Sequence, residues 1–109
     1  MKPTYGFRAT MTARPGKGGE LADLLLSGTT GTGPATNENC LVYLVGRSAG
    51  DPDVVHVLEG WTTKAAHAAN FASAQAQAFV AKIAPLVAGE AQYQDEIPVG
   101  GKLRLSVTP

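Results

Sequence analysis

His67, Asn70 and Phe71 stand at positions i, i+3 and i+4 of one Ala-rich segment. On a helix that spacing turns an imidazole, a carboxamide and an aromatic ring toward the same space, and Ala74 continues the face. An imidazole exchanges a proton near neutral pH, so His67 is the candidate acid–base group of the chain. The plainer reading of His67 is a partly exposed helix residue. Immediately upstream, Val54–Trp61 is an apolar, β-branched run that ends in the chain's single Trp and passes through Thr62-Thr63 straight into the helix. A strand that turns directly into a helix makes a natural pocket wall. Trp61 has two compatible readings, a core anchor that buries a large area at little entropic cost and a wall for a flat aromatic ligand. Alternation along the strand puts Glu59 on the face of Trp61, with the plain reading of a solvated or paired carboxylate at the pocket mouth. His56 faces the other way.

These side chains must be carried by a few elements. Residues 5–13 alternate Tyr5, Phe7, Ala9, Met11 and Ala13 against Arg8, Thr10 and Thr12, the period of a two-faced strand. Arg14-Pro15-Gly16 breaks it. A short amphipathic helix follows, with Leu21, Leu24 and Leu25 on one face and Glu20 near its positive end. Residues 28–39 are a turn-rich connection of about a dozen residues, near the length above which loops are usually functional or mobile. Its Gly31-Thr32-Gly33 is no phosphate loop, because the Lys-Ser/Thr completion and an immediately following helix are missing.

Residues 40–48 read as a strand apolar on both faces, hence covered on both. The turn around Gly50-Asp51-Pro52-Asp53 joins it to Val54–Trp61 as an antiparallel hairpin. Thr63 caps the next helix, which runs from Lys64 with a break expected at Ser73 and an end at Pro85. Phe79, Ile83, Leu86 and Val87 form its core stripe, with Phe71 one layer earlier. Residues 91–97 read as a fourth strand. Residues 98–109 form a tail whose alternation from Lys102 fits either a short extra strand or an arm onto a partner. Strand, helix, strand, strand, helix, strand is the ferredoxin-like arrangement: α+β, one antiparallel sheet with the helices on one face. The apolar helix-free face would be hidden against a second such sheet in a two-fold dimer.

Composition sets the bounds. The 109 residues make one domain, and 44% hydrophobic with only 17% charged residues suits a chain with a surface buried in an oligomer. Nine Lys plus Arg balance nine Asp plus Glu, which removes the electrostatic reason to expect nucleic acid or an anionic membrane. No apolar run approaches the roughly 20 residues of a membrane span, and the start lacks a signal-peptide segment, so a cytoplasmic protein is expected. The single Cys40 has no internal disulfide partner and no Cys or His at zinc-site spacing; it reads as a small buried apolar residue.

Taken in order, Thr12-Ala13-Arg14-Pro15-Gly16-Lys17 with Glu20-Leu21, Cys40-Leu41-Val42-Tyr43, Glu59-Gly60-Trp61 leading into an Ala-rich helix, and Pro98-Val99-Gly100-Gly101-Lys102 carry a resemblance. Over nearly the whole chain they resemble the antibiotic biosynthesis monooxygenase family of dimeric α+β barrels. The resemblance implies a homodimer joined through the sheet faces, with a pocket between sheet and helices in each subunit. Better-known members oxidise phenolic or quinol substrates with molecular oxygen, without metal or flavin, and many relatives have no established activity. It therefore implies a cofactor-independent monooxygenase for a small aromatic phenol, quinol or polyketide-like molecule. Trp61, Tyr43 and Phe71 would wall the substrate, with Glu59 beside them, Asn70 as oxyanion donor and His67 as proton acceptor.

The chain departs from the family where a helix His often stands nine positions after the Trp and another about a turn further on. Asn70 and Gln75 hold those places here. A haem-degrading relative would need an axial His near Asn70, so that reading loses ground. The alternative is a non-catalytic dimer that binds a small aromatic metabolite.

Overall fold

The computed structural model describes residues 2–102, so the expectation of a strand or arm from Lys102 onward falls almost wholly outside the described residues. The element order is β1 (Tyr5–Thr12), α1 (Gly18–Leu26), β2 (Cys40–Arg47), β3 (Val54–Trp61), α2 (Lys64–Phe71), α3 (Ala74–Ile83) and β4 (Gln92–Glu96). The strands form one antiparallel sheet in the order β2-β3-β1-β4. This is the expected ferredoxin-like α+β arrangement, with the second helix divided in two. Within one chain the sheet stays open, with β2 and β4 at its edges.

Register follows from alternation. β1 pairs with β3 from Tyr5↔Trp61 to Thr12↔Val54, so Ala9 and Met11 meet Val57 and Val55 on the helix side. A one-residue slip would send this whole set to the opposite face. β2 joins with Tyr43↔Glu59 and Val45↔Val57, after an irregularity between Cys40 and Val42. The core on the helix side comprises Ala9, Met11, Ala13, Leu21, Ala22, Leu25, Val55, Val57 and Ile83. Leu21 and Leu25 come from the α1 stripe and Ile83 from α3, which places these helices on one face of the sheet.

The helix ends are set locally. Thr63 Oγ1 accepts the Ala66 N–H at 3.0 Å and starts α2, while Ser73 Oγ accepts the Ala76 N–H at 3.1 Å and starts α3. Ser73 is thus the break its position suggests. Pro85 sits in a single 3-10 turn, Ala84–Leu86, directly after α3. At α1 the Asp53 carboxylate accepts the N–H groups of Gly16 and Gly18 at 3.0 and 2.9 Å, which holds its carboxyl below the usual range. Gly18 is required there, because a Cβ would run into the Pro52 carbonyl. The loop after α1 closes on itself: Gly33 packs so tightly against Gly28 that neither an anion nor a side chain fits between them. Only a short 3-10 turn, Pro34–Thr36, follows it.

Within the single chain β2 is half-buried to exposed, with Leu44 at its outer face 37% exposed, because no helix of this chain covers that side, the one expected to take a second subunit. One burial expectation is corrected. Cys40 is half-buried rather than core, and burial still pushes its thiol up to about 12, which leaves it unreactive near neutral pH.

Candidate functional site

Between the helix side of the sheet and the three helices lies an apolar cavity of about 290 Å³. This is the small end of the range for ligand sites, room for one compact aromatic molecule. Phe7, Ala9 and Met11 of β1, Val57 and Glu59 of β3 and Tyr43 of β2 make its floor. Phe79, Val80 and Ile83 of α3 make its roof, and His67, Asn70 and Phe71 of α2 one wall. The α3 stripe expected to be plain core therefore serves twice, packing and lining.

His67 is the centre of an aromatic cage. Its ring centroid is 4.8 Å from Phe7, 5.2 Å from Tyr5, 5.3 Å from Trp61 and 6.4 Å from Phe71. The side chain is only 15% exposed, more enclosed than the plain reading of a helix residue has it. Burial moves its pKa below the usual imidazole value, against an opposing pull from Asp95, so the ring is neutral at neutral pH. A neutral imidazole can accept a proton. Asp95 is held by the Tyr5 hydroxyl, which donates to it at 2.7 Å, and by Lys64 at 3.3 Å. Burial, reinforced by that engagement, pushes the Tyr5 hydroxyl up to about 12.

Glu59 is not at a solvated mouth. Its side chain is 12% exposed, its Oε1 accepts the Trp61 indole N–H at 2.8 Å, and the same oxygen lies 4.0 Å from His67 Nε2. At that separation the two groups do not hydrogen-bond directly. Burial raises the Glu59 pKa, partly countered by the indole N–H. Desolvation therefore governs both groups and drives each toward its neutral form. The result is a carboxyl and an imidazole side by side, facing one apolar space.

Of the two readings of Trp61, the structure shows the core anchor: it is 0% exposed and is not among the residues that line the cavity. Its ring stands edge-on behind His67 and its N–H holds Glu59, so it shapes the wall from behind. Phe71 differs in the opposite sense: expected in the core stripe, it is 52% exposed and forms the cavity rim. Tyr43 does line the cavity, but its hydroxyl is spent on the Leu25 carbonyl at 2.7 Å. Tyr43 therefore offers the space its ring. Asn70 lines the cavity one turn from His67, and its Oδ1 accepts from Asn37 at 3.3 Å.

The spacing argument brought His67, Asn70, Phe71 and Glu59 together, and missed Phe7, Phe79, Tyr93 and Asn37. Phe7 was visible as the inward side of β1, next to β3 once the register is known. Tyr93 stacks on Phe7 at 5.6 Å only because β4 pairs with β1 rather than with its neighbours in sequence. Asn37 carried no local signal. Among the described residues, no group of three or more His, Cys, Asp or Glu side chains converges as a metal site would need, and no helix is long and apolar enough to cross a membrane.

Comparison with known proteins agrees with this architecture. The sequence model of the family described as antibiotic biosynthesis monooxygenase matches residues 4–82. A candidate antibiotic biosynthesis monooxygenase from Chloroflexus aurantiacus is 29% identical, with a TM-score of 0.76 over 91% of this chain and 96% of that one. Another, from Caulobacter crescentus, is 25% identical, with a TM-score of 0.78 over 91% and 92%. A protein from Mycobacterium tuberculosis shares the fold at 18% identity, with a TM-score of 0.75 over 89% and 96%. Among curated proteins none matches the chain. With the family's pattern running through all three helices and three of the four strands, the chain belongs to the antibiotic biosynthesis monooxygenase family.

Proposed function

We propose that the protein is a cofactor-independent monooxygenase that oxidises a small phenol, quinol or related activated ring system with molecular oxygen. The observation that carries this reading is the neutral imidazole of His67, caged by aromatic rings at the wall of an apolar cavity with Glu59 beside it. Such a substrate supplies its own electrons once it has lost a proton, so the protein's tasks are to bind it, take the proton and hold the resulting anion.

For a ring methylene conjugated with a ring carbonyl, as in an anthrone, the steps balance as follows. His67 Nε2 takes one C–H proton, leaving a carbanion delocalised onto the carbonyl oxygen. One electron passes to oxygen, the radical pair combines to form a C–O bond, and the peroxide anion takes the proton back from His67. His67 then takes the second C–H proton as the O–O bond breaks to give a ketone, and returns it to the departing hydroxide as water. Asn70 offers a hydrogen bond to the oxyanion, and Glu59, when ionised, balances the imidazolium. Phe7, Tyr43, Phe71 and Phe79 exclude water and hold the ring.

The family's two-fold assembly belongs to the same reading. Val42, Leu44 and Leu58 lie together on the helix-free side of the sheet, with Ile97 and Val99 exposed beside them. A second copy on this face would bury that apolar surface and complete a barrel from two open sheets.

The test is oxygen uptake by metal-free protein with anthrones, naphthols and reduced quinones. Uptake above the autoxidation blank that is lost in His67→Gln supports the enzyme. Trp61→Ala does not test the site, because emptying a fully buried Trp position costs about 3–5 kcal/mol of stability whatever the cavity does. Binding of the same compounds with no uptake would point to the alternative, a binding protein, which the Asn70 and Gln75 replacements favour.

A further inference from the structure

A polar cleft adjoins the cavity, between the loop that follows α1 and the outer side of α2. Among the described residues, Asn70 alone lines both spaces. Its carboxamide must present one end to the cleft and the other elsewhere, and nothing in an isolated amide decides which. The decision comes from the backbone. The Asn39 N–H donates to Asn37 Oδ1 at 2.9 Å. A backbone N–H only donates, so that end of the Asn37 amide is its oxygen and the other end its NH2. The NH2 donates to Asn70 at 3.3 Å, so the Asn70 atom it meets is oxygen. The end of Asn70 left over is its NH2.

The relay is anchored firmly. The Cys40 N–H donates to the Asn37 carbonyl at 3.0 Å, the Thr62 N–H to the Asn39 carbonyl at 2.9 Å, and the Thr62 hydroxyl to Asn39 Oδ1 at 3.0 Å. The loop end is thereby pinned just past the end of β3, the strand that carries Glu59. We propose that Asn37 is a positioning residue, which turns the Asn70 carboxamide so that its NH2 faces the cavity and donates to the ionised oxygen of a bound phenol. The proposal rests on the phenol-oxidising reading for its ligand class, and it assigns to the loop a task that the cavity wall alone does not reveal.

Asn37→Asp keeps the shape and reverses the polarity. One carboxylate oxygen still accepts the Asn39 N–H, while the other now demands a donor. Asn70 then gives its NH2 to the loop and shows the cavity an oxygen. The ligand for the test is 4-nitro-1-naphthol, whose ionised and neutral forms absorb differently, held at one pH where both forms are present. In the wild-type protein the bound naphthol is more ionised than the free one. In Asn37→Asp the bound ratio of ionised to neutral form falls by about tenfold or more, the effect of one hydrogen bond to a charged group. Asn37→Ala, which frees the amide to rotate, falls between them. Thr36→Asp places the same charge one residue away without touching the relay, and stays close to wild type. In NMR spectra the Asn70 NH2 signal, identified by its absence in Asn70→Asp, moves on naphthol addition in the wild type and not in Asn37→Asp.

An Asn70 signal that naphthol leaves unmoved in the wild type overturns the proposal, as does a Thr36→Asp effect equal to that of Asn37→Asp. None of these measurements uses oxygen. Enrichment of the naphtholate without any oxygen uptake keeps the positioning role and defeats the oxygenase; uptake that Asn37→Asp leaves unchanged does the reverse.

Discussion

His67 and Glu59 owe their character to where they are enclosed. A neutral imidazole on the wall of an apolar cavity is a ready proton acceptor, so His67→Gln is expected to lower turnover by about 10²-fold or more while the melting temperature changes little. Because burial depresses the His67 pKa, the acid limb of kcat/KM for the proposed oxidation is expected below the usual imidazole value of 6.5, with a flat profile above it as far as this group is concerned. Glu59 gives the opposite sign for stability. Its pKa is raised in the fold, so the folded chain holds this proton more tightly than the unfolded one, and stability falls as pH rises between the two values. Glu59→Gln keeps an oxygen for the Trp61 N–H and removes the desolvated charge. The variant is therefore expected to melt above the wild type at pH 7 and to lose that advantage near pH 4, as calorimetry at the two pH values would record, while its turnover falls.

The elements aim these groups. Splitting the second helix at Ser73 allows α2 to carry His67, Asn70 and Phe71 down one side of the cavity while α3 lays Phe79 and Ile83 across the top. Ser73 holds both parts of the corner: its hydroxyl donates to the Asn70 carbonyl at 2.6 Å and accepts the Ala76 N–H. Ser73→Ala removes the N-cap of α3 and is expected to cost about 1 kcal/mol in chemical denaturation. Because the change also releases the last turn of α2, KM for the aromatic substrate should rise more than kcat falls. The Thr63 cap at the start of α2 lies two turns from Asn70, so Thr63→Ala should cost similar stability and leave KM nearer wild type.

At the scale of the molecule, one sheet has two different faces. The helix side carries the core and the cavity; the other presents Val42, Leu44 and Leu58 beside the Arg8–Glu96 ion pair at 3.4 Å. If this face pairs with a second copy, Leu58→Glu puts two like charges near a buried two-fold interface. The variant is expected to elute and sediment as a monomer where the wild type is a dimer, with its melting temperature falling toward that of a lone open sheet. A wild type that is already monomeric at micromolar concentration would defeat the paired assembly.

Alternation and helical spacing alone determined the element order, the faces of β1 and β3, the break at Ser73 and the grouping of His67 with Asn70 and Phe71. These are local properties, fixed by a period of two in strands and of 3.6 in helices. Tertiary structure alone decided the depth of each side chain. Trp61 lies behind the cavity because Tyr5 pairs opposite it and His67 closes over its edge, while Glu59 is enclosed because the sheet places Tyr43 across from it. The orientation of Asn70 needed the longest reach, a backbone N–H in a loop more than thirty residues away. No periodicity encodes such a contact, since it exists only where the chain has folded back to put the loop end beside the helix.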